Sequence, residues 1–290
     1  MAIARMTVRE WQAELDDGAF RAATIALETG DVLFFPDLRF TVEPREAPLF
    51  TPAILGRAKN ASFDPRTNRI GGTTLAGSDA DTLTGLLQRF SQAAALIVDR
   101  VAPAYRGHLI QARASFRPAE IAGRATSWRK DDTRLHIDSF PATPSDGRRI
   151  LRVFTNVNPE GRPRSWRIGD RFEAVAQRFA PRLRMPLPGS GRLLAWLRVT
   201  KTPRSAYDSL MLQLHDAMKG DDEFQARSPQ TAIDFPAGST WMAFTDQVSH
   251  AATAGQHQLE QTFLLPVDAM QQPDSSPLRV LERLTGRPLT

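Results

Sequence analysis

The chain has 290 residues, 41% of them hydrophobic, with 37 basic against 32 acidic side chains and no cysteine. This balance fits a soluble globular protein with room for a sizeable core and excludes a disordered or fibrous chain. Without cysteine there is no disulfide, thiolate metal site or cysteine nucleophile. Residues 1–17 carry several charges and no apolar h-region, so no secretory signal is expected. Thr7 and Glu10 have capping-box spacing, which predicts a helix with Val8, Trp11 and Leu15 on one face. A second short helix is expected over 22–29, closed by Gly30. Strands follow over 32–35, stopped by Pro36, and over 40–42. Residues 80–102 carry Leu83, Leu86, Leu87, Phe90, Ala94, Ile97 and Val101 at helical spacing and form the strongest predicted helix, ended by Pro103. The longest apolar run, Ala93 to Val98, is far short of the ~20 residues a membrane span requires.

Beyond Tyr105 the pattern changes to short β-type runs separated by turn residues. Strands are expected over 109–116, 134–137, 150–157, 192–199, 231–234, 239–245 and 261–267. Helices are expected over 169–179 and 205–218, with a short one over 278–284. Many short strands with turn signals between them predict a mainly β fold with flanking helices, built on a jelly-roll or sandwich core. No repeat or long linker divides the chain, although 181–191 is the most linker-like stretch. A single domain over 1–290 is therefore expected, with mixed elements over 1–105, the β core over about 106–267 and a tail over 268–290.

The positive charge is concentrated. Residues 117–171 hold twelve basic and seven acidic side chains, an excess equal to that of the whole chain. Arginine forks bind carboxylates and phosphates, so a cluster of them points to an anionic ligand. Within this segment His136 and Asp138 are two residues apart, and on a strand both side chains point to one face. His250 follows a β-run and could arrive as a third ligand. Two histidines and a carboxylate with open positions opposite them are the arrangement of non-haem Fe(II) oxygenases, though a structural or hydrolytic metal site has the same ingredients. His215 reads as a helix-surface or core residue, His257 as a solvated loop residue, and His108 is uninformative. No Lys or Arg stands between His250 and Arg279 to hold the distal carboxylate of 2-oxoglutarate. Arg152, inside Ile150-Leu151-Arg152-Val153-Phe154, is the alternative anchor. A buried salt bridge is its other reading.

The strings Ser115-Phe116-Arg117-Pro118, Arg129 to Pro141, and Gly147 to Pro159 followed by Arg164-Ser165-Trp166 resemble the Kdo hydroxylase family. Gly30 to Pro36, Lys59-Asn60 and Ser249-His250 extend the likeness. It implies a double-stranded β-helix and an Fe(II)-, 2-oxoglutarate- and O2-dependent dioxygenase. The substrate would be a 3-deoxy-manno-octulosonic acid (Kdo) residue of Kdo-lipid A, hydroxylated at C3 to give Ko in lipopolysaccharide biosynthesis. It places the metal triad on His136, Asp138 and His250, the co-substrate anchor on Arg152, and substrate contacts on Arg117, Arg164 and Trp166. A cytoplasmic location at the inner face of the bacterial inner membrane follows from such a substrate, with Trp128-Arg129-Lys130 as a lid or membrane-facing loop. Nucleic acid is not expected, because the arginines interleave with the metal motif rather than lining one helix. The competing expectations are an oxygenase for another small anion and a metal-free jelly-roll carbohydrate-binding protein.

Overall fold

The computed structural model describes residues 3–13 and 15–290. Strand β1 (Ile3–Arg5) leads to helix α1 (Asp17–Glu28), whose N-terminus is capped where the Asp16 carboxylate accepts from the Ala19 amide at 2.8 Å. Then come β2 (Val32–Phe35), β3 (Ala61–Asp64), β4 (Arg69–Gly71), the long α2 (Gly77–Val101) and β5 (Ile110–Arg117). The second half runs β6 (Arg149–Asn156), β7 (Arg164–Ile168), α3 (Phe172–Phe179), α4 (Ser190–Trp196), α5 (Ala206–Gly220) and α6 (Asp222–Arg227). It continues through β8 (Thr231–Phe235), β9 (Thr240–Phe244), β10 (His250–Ala254) and β11 (Gln258–Leu265) to α7 (Pro277–Thr285).

The strands form two sheets. The larger has the order β1-β2-β9-β6-β11-β5-β3-β4, and the smaller β10-β7-β8. Together they make the jelly-roll core, with helices covering the outer face of the larger sheet. Alternation along the strands explains how each face is filled. On β6, Leu151 and Val153 point toward the helices and join a cluster with Ile97, Val98, Leu210 and Leu214. Phe154 points the other way, into a second cluster with Trp166, Phe235 and Trp241 between the sheets. The Phe235 and Trp241 rings stack with centroids 4.1 Å apart, so aromatic contact joins β8 of the smaller sheet to β9 of the larger. Helix α2 buries Leu83, Leu86, Leu87 and Phe90 against Ala61, Phe63, Ala114 and Phe116 of β3 and β5.

Four local expectations differ from the structure. Residues 7–13 are irregular rather than helical, and the fold's capping box lies instead at Glu43 and Glu46 of a 3-10 turn. Residues 40–42 form no strand. Residues 134–137 contribute one isolated bridge, at His136, to His250. The run over 192–199 is not a strand, because α4 takes its first part: Leu193 and Leu197 donate to the carbonyls of Gly189 and Leu193. No neighbouring strand offers that run a ladder to join.

Candidate metal centre and its surroundings

The site forms where the first predicted ligand segment crosses the edge of the smaller sheet. The His136 amide donates to the His250 carbonyl at 2.9 Å and the His250 amide donates back at 2.8 Å. The Asp138 amide donates to Thr245 at 2.7 Å, so the i, i+2 pair is pinned at both residues. Each imidazole is fixed through its own backbone. His136 Nδ1 lies 2.7 Å from the Arg134 carbonyl, and His250 Nδ1 lies 2.8 Å from the Val248 carbonyl. A carbonyl can only accept, so Nδ1 carries the proton in both rings and Nε2 keeps its lone pair. The ring centroids are 4.6 Å apart. One donor atom from each of His136, Asp138 and His250 lies within 4.8 Å of the others.

Electrostatics suit a cation here. Burial holds both imidazoles below the ordinary histidine range, and their mutual proximity pushes His136 further down, so both are neutral ligands near pH 7. Burial alone would raise Asp138, but the Arg152 guanidinium outweighs it and keeps the carboxyl ionised. Its Oδ2 is buried without a hydrogen bond, facing Arg152 Nε at 3.2 Å. A buried carboxylate oxygen beside two free imidazole lone pairs is a donor set that fits a divalent metal.

Residues from both sheets wall the cavity beside this triad, a narrow space of about 60 Å³. Arg117 of β5 and Arg152 of β6 flank β11, from which Glu260 reaches both: Arg152 Nη1 at 2.8 Å and Arg117 at 3.1 Å. Arg117 also lies 3.8 Å from Asp132, whose carboxyl Arg117 and Lys59 hold down at about 2 against the effect of burial. Arg164 is different. Its guanidinium is buried, donates from Nη1 to the Gly255 carbonyl at 2.6 Å, leaves Nε without a partner and, among the described residues, has no carboxylate within ion-pair distance. Burial, followed by repulsion from Arg117, lowers its pKa to about 9. Gly255 allows this contact: its φ is +103°, and a Cβ there would stand 2.7 Å from the Pro163 carbonyl. The Glu120 carboxylate holds the turn by accepting from the amides of Gly255, Ile121 and Ala122.

Trp166 is buried, with its ring stacked on His250 at 5.0 Å and its indole Nε1 without a partner. One face of this ring therefore buttresses the imidazole. His215, read as an ordinary helix residue, stands edge-on to His136 at 5.5 Å. His257 is buried rather than solvated, stacked on Phe116. Trp128 packs against Gly220 at the end of α5, and the Arg129 and Lys130 carbonyls accept from Lys219 and Lys59. Asp132, Gln258 and Glu260 were missed among the lining residues. The inward position of Glu260 was readable only once β11 was known to start at Gln258 rather than 261.

A wider groove of about 380 Å³ continues from the cavity, sharing Arg117, Arg152 and Glu260 with it. Its further walls include Arg66, Arg113, Phe140, Pro141 and Lys201.

Residues 10–288 match the family described as 3-deoxy-D-manno-oct-2-ulosonic acid (Kdo) hydroxylase. The chain belongs to the Kdo hydroxylase family. Its structure is similar to that of the Kdo hydroxylase KdoO, a non-heme Fe(II) alphaketoglutarate dependent dioxygenase, in complex with alphaketoglutarate and Fe(III). The identity is 46%, the TM-score 0.97, and the match covers 100% of this chain and 98% of that one. The cobalt(II) complex of KdoO matches at 48% identity and TM-score 0.97, covering 99% of this chain and 97% of that chain. The complex with succinate and Fe(III) matches at 46% and 0.96, covering 99% and 97%. A search of curated proteins found no match.

Proposed function

We propose that this member of the family hydroxylates C3 of a Kdo residue in Kdo-lipid A, giving Ko, with Fe(II), 2-oxoglutarate and O2. The observation that carries this reading is the triad itself: two imidazoles with proton-bearing Nδ1 atoms turned to carbonyls, and a buried carboxylate. His136, Asp138 and His250 would hold the iron. The chemistry supplied by bound Fe(II) is the coupling of 2-oxoglutarate oxidation, to succinate and CO2, with insertion of one O2 oxygen into a C–H bond.

The protein's own part is binding, orientation and exclusion of water. The distal carboxylate of 2-oxoglutarate goes to Arg164 rather than Arg152. Both arginines line the cavity, but Arg152 is already shared between Asp138 and Glu260, whereas Arg164 makes no ion pair among the described residues. The unpartnered Arg164 Nε and Trp166 Nε1 add two buried donors awaiting an acceptor. Arg152 then fixes the orientation of Asp138, and Trp166 that of His250. Arg117 stands where cavity meets groove and is placed to meet the Kdo carboxylate. The groove, with Arg66, Arg113 and Lys201 along it, is large enough for the phosphorylated sugar beyond.

The whole chain acts as one domain in this reading, since β1 to β4 from the N-terminal part extend the same sheet as β5, β6, β9 and β11. The substrate places the enzyme at the inner face of the inner membrane as a peripheral protein. Among the described residues no helix is long and apolar enough to cross a membrane. Incubation of Kdo-lipid A with the enzyme, Fe(II), 2-oxoglutarate and O2 tests the reading by mass spectrometry. The expected product is the glycolipid with one added oxygen. Succinate release with no change in glycolipid mass would refute the substrate.

A further inference from the structure

Among the described residues, the most exposed large apolar side chains are gathered in one segment. Leu187 and Trp196 are each 78% exposed, and Leu193, Leu197 and Val199 are each 54% exposed. Leu193, Trp196 and Leu197 have i, i+3, i+4 spacing around α4, so they project from one side of the turn, toward solvent rather than into a core. A single exposed leucine means nothing, but a contiguous group with tryptophan at its centre marks a contact surface.

The charge around it is equally one-sided. Residues 182–204 contain Arg182, Arg184, Arg192, Arg198, Lys201 and Arg204 and no acidic residue. Arg182 is paired with Asp221, but Arg192, Arg198 and Lys201 have no carboxylate partner among the described residues. The segment is also braced. Leu193, Leu197, Arg198 and Val199 donate in turn to the carbonyls of Gly189, Leu193, Ala195 and Leu194. Gly191 lies so close to the backbone of Arg204 that a Cβ would sit 2.0 Å from its carbonyl oxygen. The apolar side chains are thus held outward by an ordered backbone.

We infer that this α4 segment is the surface by which the protein docks onto an anionic lipid bilayer. Trp196 and the leucines would enter the headgroup–acyl boundary while the free cations meet lipid phosphates. Charge complementarity selects this occupant: a protein partner for five exposed apolar residues would not require Arg192, Arg198 and Lys201 beside them without carboxylate partners among the described residues. The position is also apt for an enzyme taking its substrate from that bilayer, a point that rests on the reading above. The Lys201 amide donates to Ala142 and the Arg204 guanidinium to Pro141, and Pro141, Ala142 and Lys201 line the groove that leads to Arg152 and Glu260.

Co-sedimentation of the full chain with vesicles of phosphatidylglycerol in phosphatidylethanolamine tests the inference, with phosphatidylcholine vesicles for comparison. Replacing both Leu187 and Trp196 by serine is expected to weaken binding to anionic vesicles by about a hundredfold. Replacing both Arg192 and Arg198 by glutamate should cost at least about twentyfold on anionic vesicles and leave neutral ones unaffected. All four side chains are exposed, so an unchanged melting temperature confirms folding of each variant. Equal sedimentation of wild type and both variants overturns the inference. So does a wild-type oligomer that the Leu187 and Trp196 substitutions disperse, because the face would then join copies of the chain. Vesicle binding requires neither iron nor turnover. A protein that sediments as expected but leaves Kdo unmodified therefore overturns the functional reading alone, and the reverse result overturns only the docking surface.

Discussion

Replacing Arg164 by methionine removes a buried guanidinium of the cavity that makes no ion pair among the described residues. Burial, reinforced by repulsion from Arg117, lowers its pKa to about 9 and so disfavours the charged form. The folded protein bears this strain until an anion arrives, so an incoming carboxylate recovers much of it. Loss of a buried, charge-assisted pair typically costs 2–5 kcal/mol, so the Kd for 2-oxoglutarate should rise by roughly two to three orders of magnitude. Stability should move differently. Arg164→Met gives up one hydrogen bond to Gly255, about 1 kcal/mol, while shedding the desolvation cost. The ligand-free protein is therefore expected to melt no lower than wild type. Arg152→Met provides the contrast: it strands Asp138 as a buried carboxylate, leaves Glu260 with Arg117 alone and should destabilise by about 3–5 kcal/mol. Anaerobic titration of 2-oxoglutarate into the iron-loaded variants, with thermal melts alongside, reads both effects. An unchanged 2-oxoglutarate affinity in Arg164→Met, with the loss appearing in a stable Arg152→Met, would return the anchor to Arg152.

His136→Ala and His250→Ala should each abolish stoichiometric iron after anaerobic loading, measured by metal analysis; full retention by both would remove the triad as the metal centre. Trp166→Leu leaves the His250 ring without its stacking partner and should weaken iron binding by about ten- to a hundredfold, with Trp166→Phe recovering part of it. Asp132 is held down at about 2 in the folded chain, below its ordinary 3.8. Its ionised form therefore favours folding: the contribution is complete above about pH 4 and fades as pH falls toward 2. Asp132→Asn should flatten the acid-unfolding curve in that window, and an identical curve would show that Arg117 and Lys59 do not act through it.

The sequence was most legible where burial and periodicity agree. Helix α2 and strands β5, β6 and β9 each lie within a few residues of expectation, because one apolar stripe or alternation dictates each. The inward aim of Arg152 was also readable, from its sharing a strand face with Phe154. What escaped was β7, the strand that carries Arg164 and Trp166. Its alternation is regular, with Arg164, Trp166 and Ile168 buried, yet the leading inward residue is a cation. Hydrophobic patterning treats a buried arginine as a loop residue, and here the exception stands at the centre of the site. The α4 segment fails for the opposite reason. Arg192-Leu193-Leu194-Ala195-Trp196-Leu197 has the composition of a buried strand, but its apolar face is turned outward, and no property of the chain alone distinguishes a core partner from an external one.

The charge excess around residues 117–171 resolves, in the folded chain, into a balance that predicts how the ligands cooperate. Arg117, Arg152 and Arg164 line the cavity against Asp132, Asp138 and Glu260, and the two histidines are neutral, so these side chains together carry no net charge. Fe(II) adds two positive charges and 2-oxoglutarate two negative ones. Either alone leaves two uncompensated charges in a buried space, whereas the pair leaves none. Each should therefore tighten the other's binding, and by the same factor, which linkage requires. Couplings of this kind run from about fivefold to 150-fold. Chelation by the keto acid would produce coupling too, so glutarate is the discriminating ligand, having the same charge and no keto oxygen. Calorimetry of glutarate with and without Zn(II), a redox-inert stand-in, should show a smaller but distinct enhancement. If glutarate binds equally with and without the metal, charge balance plays no part, and the arginines of this cavity serve geometry alone.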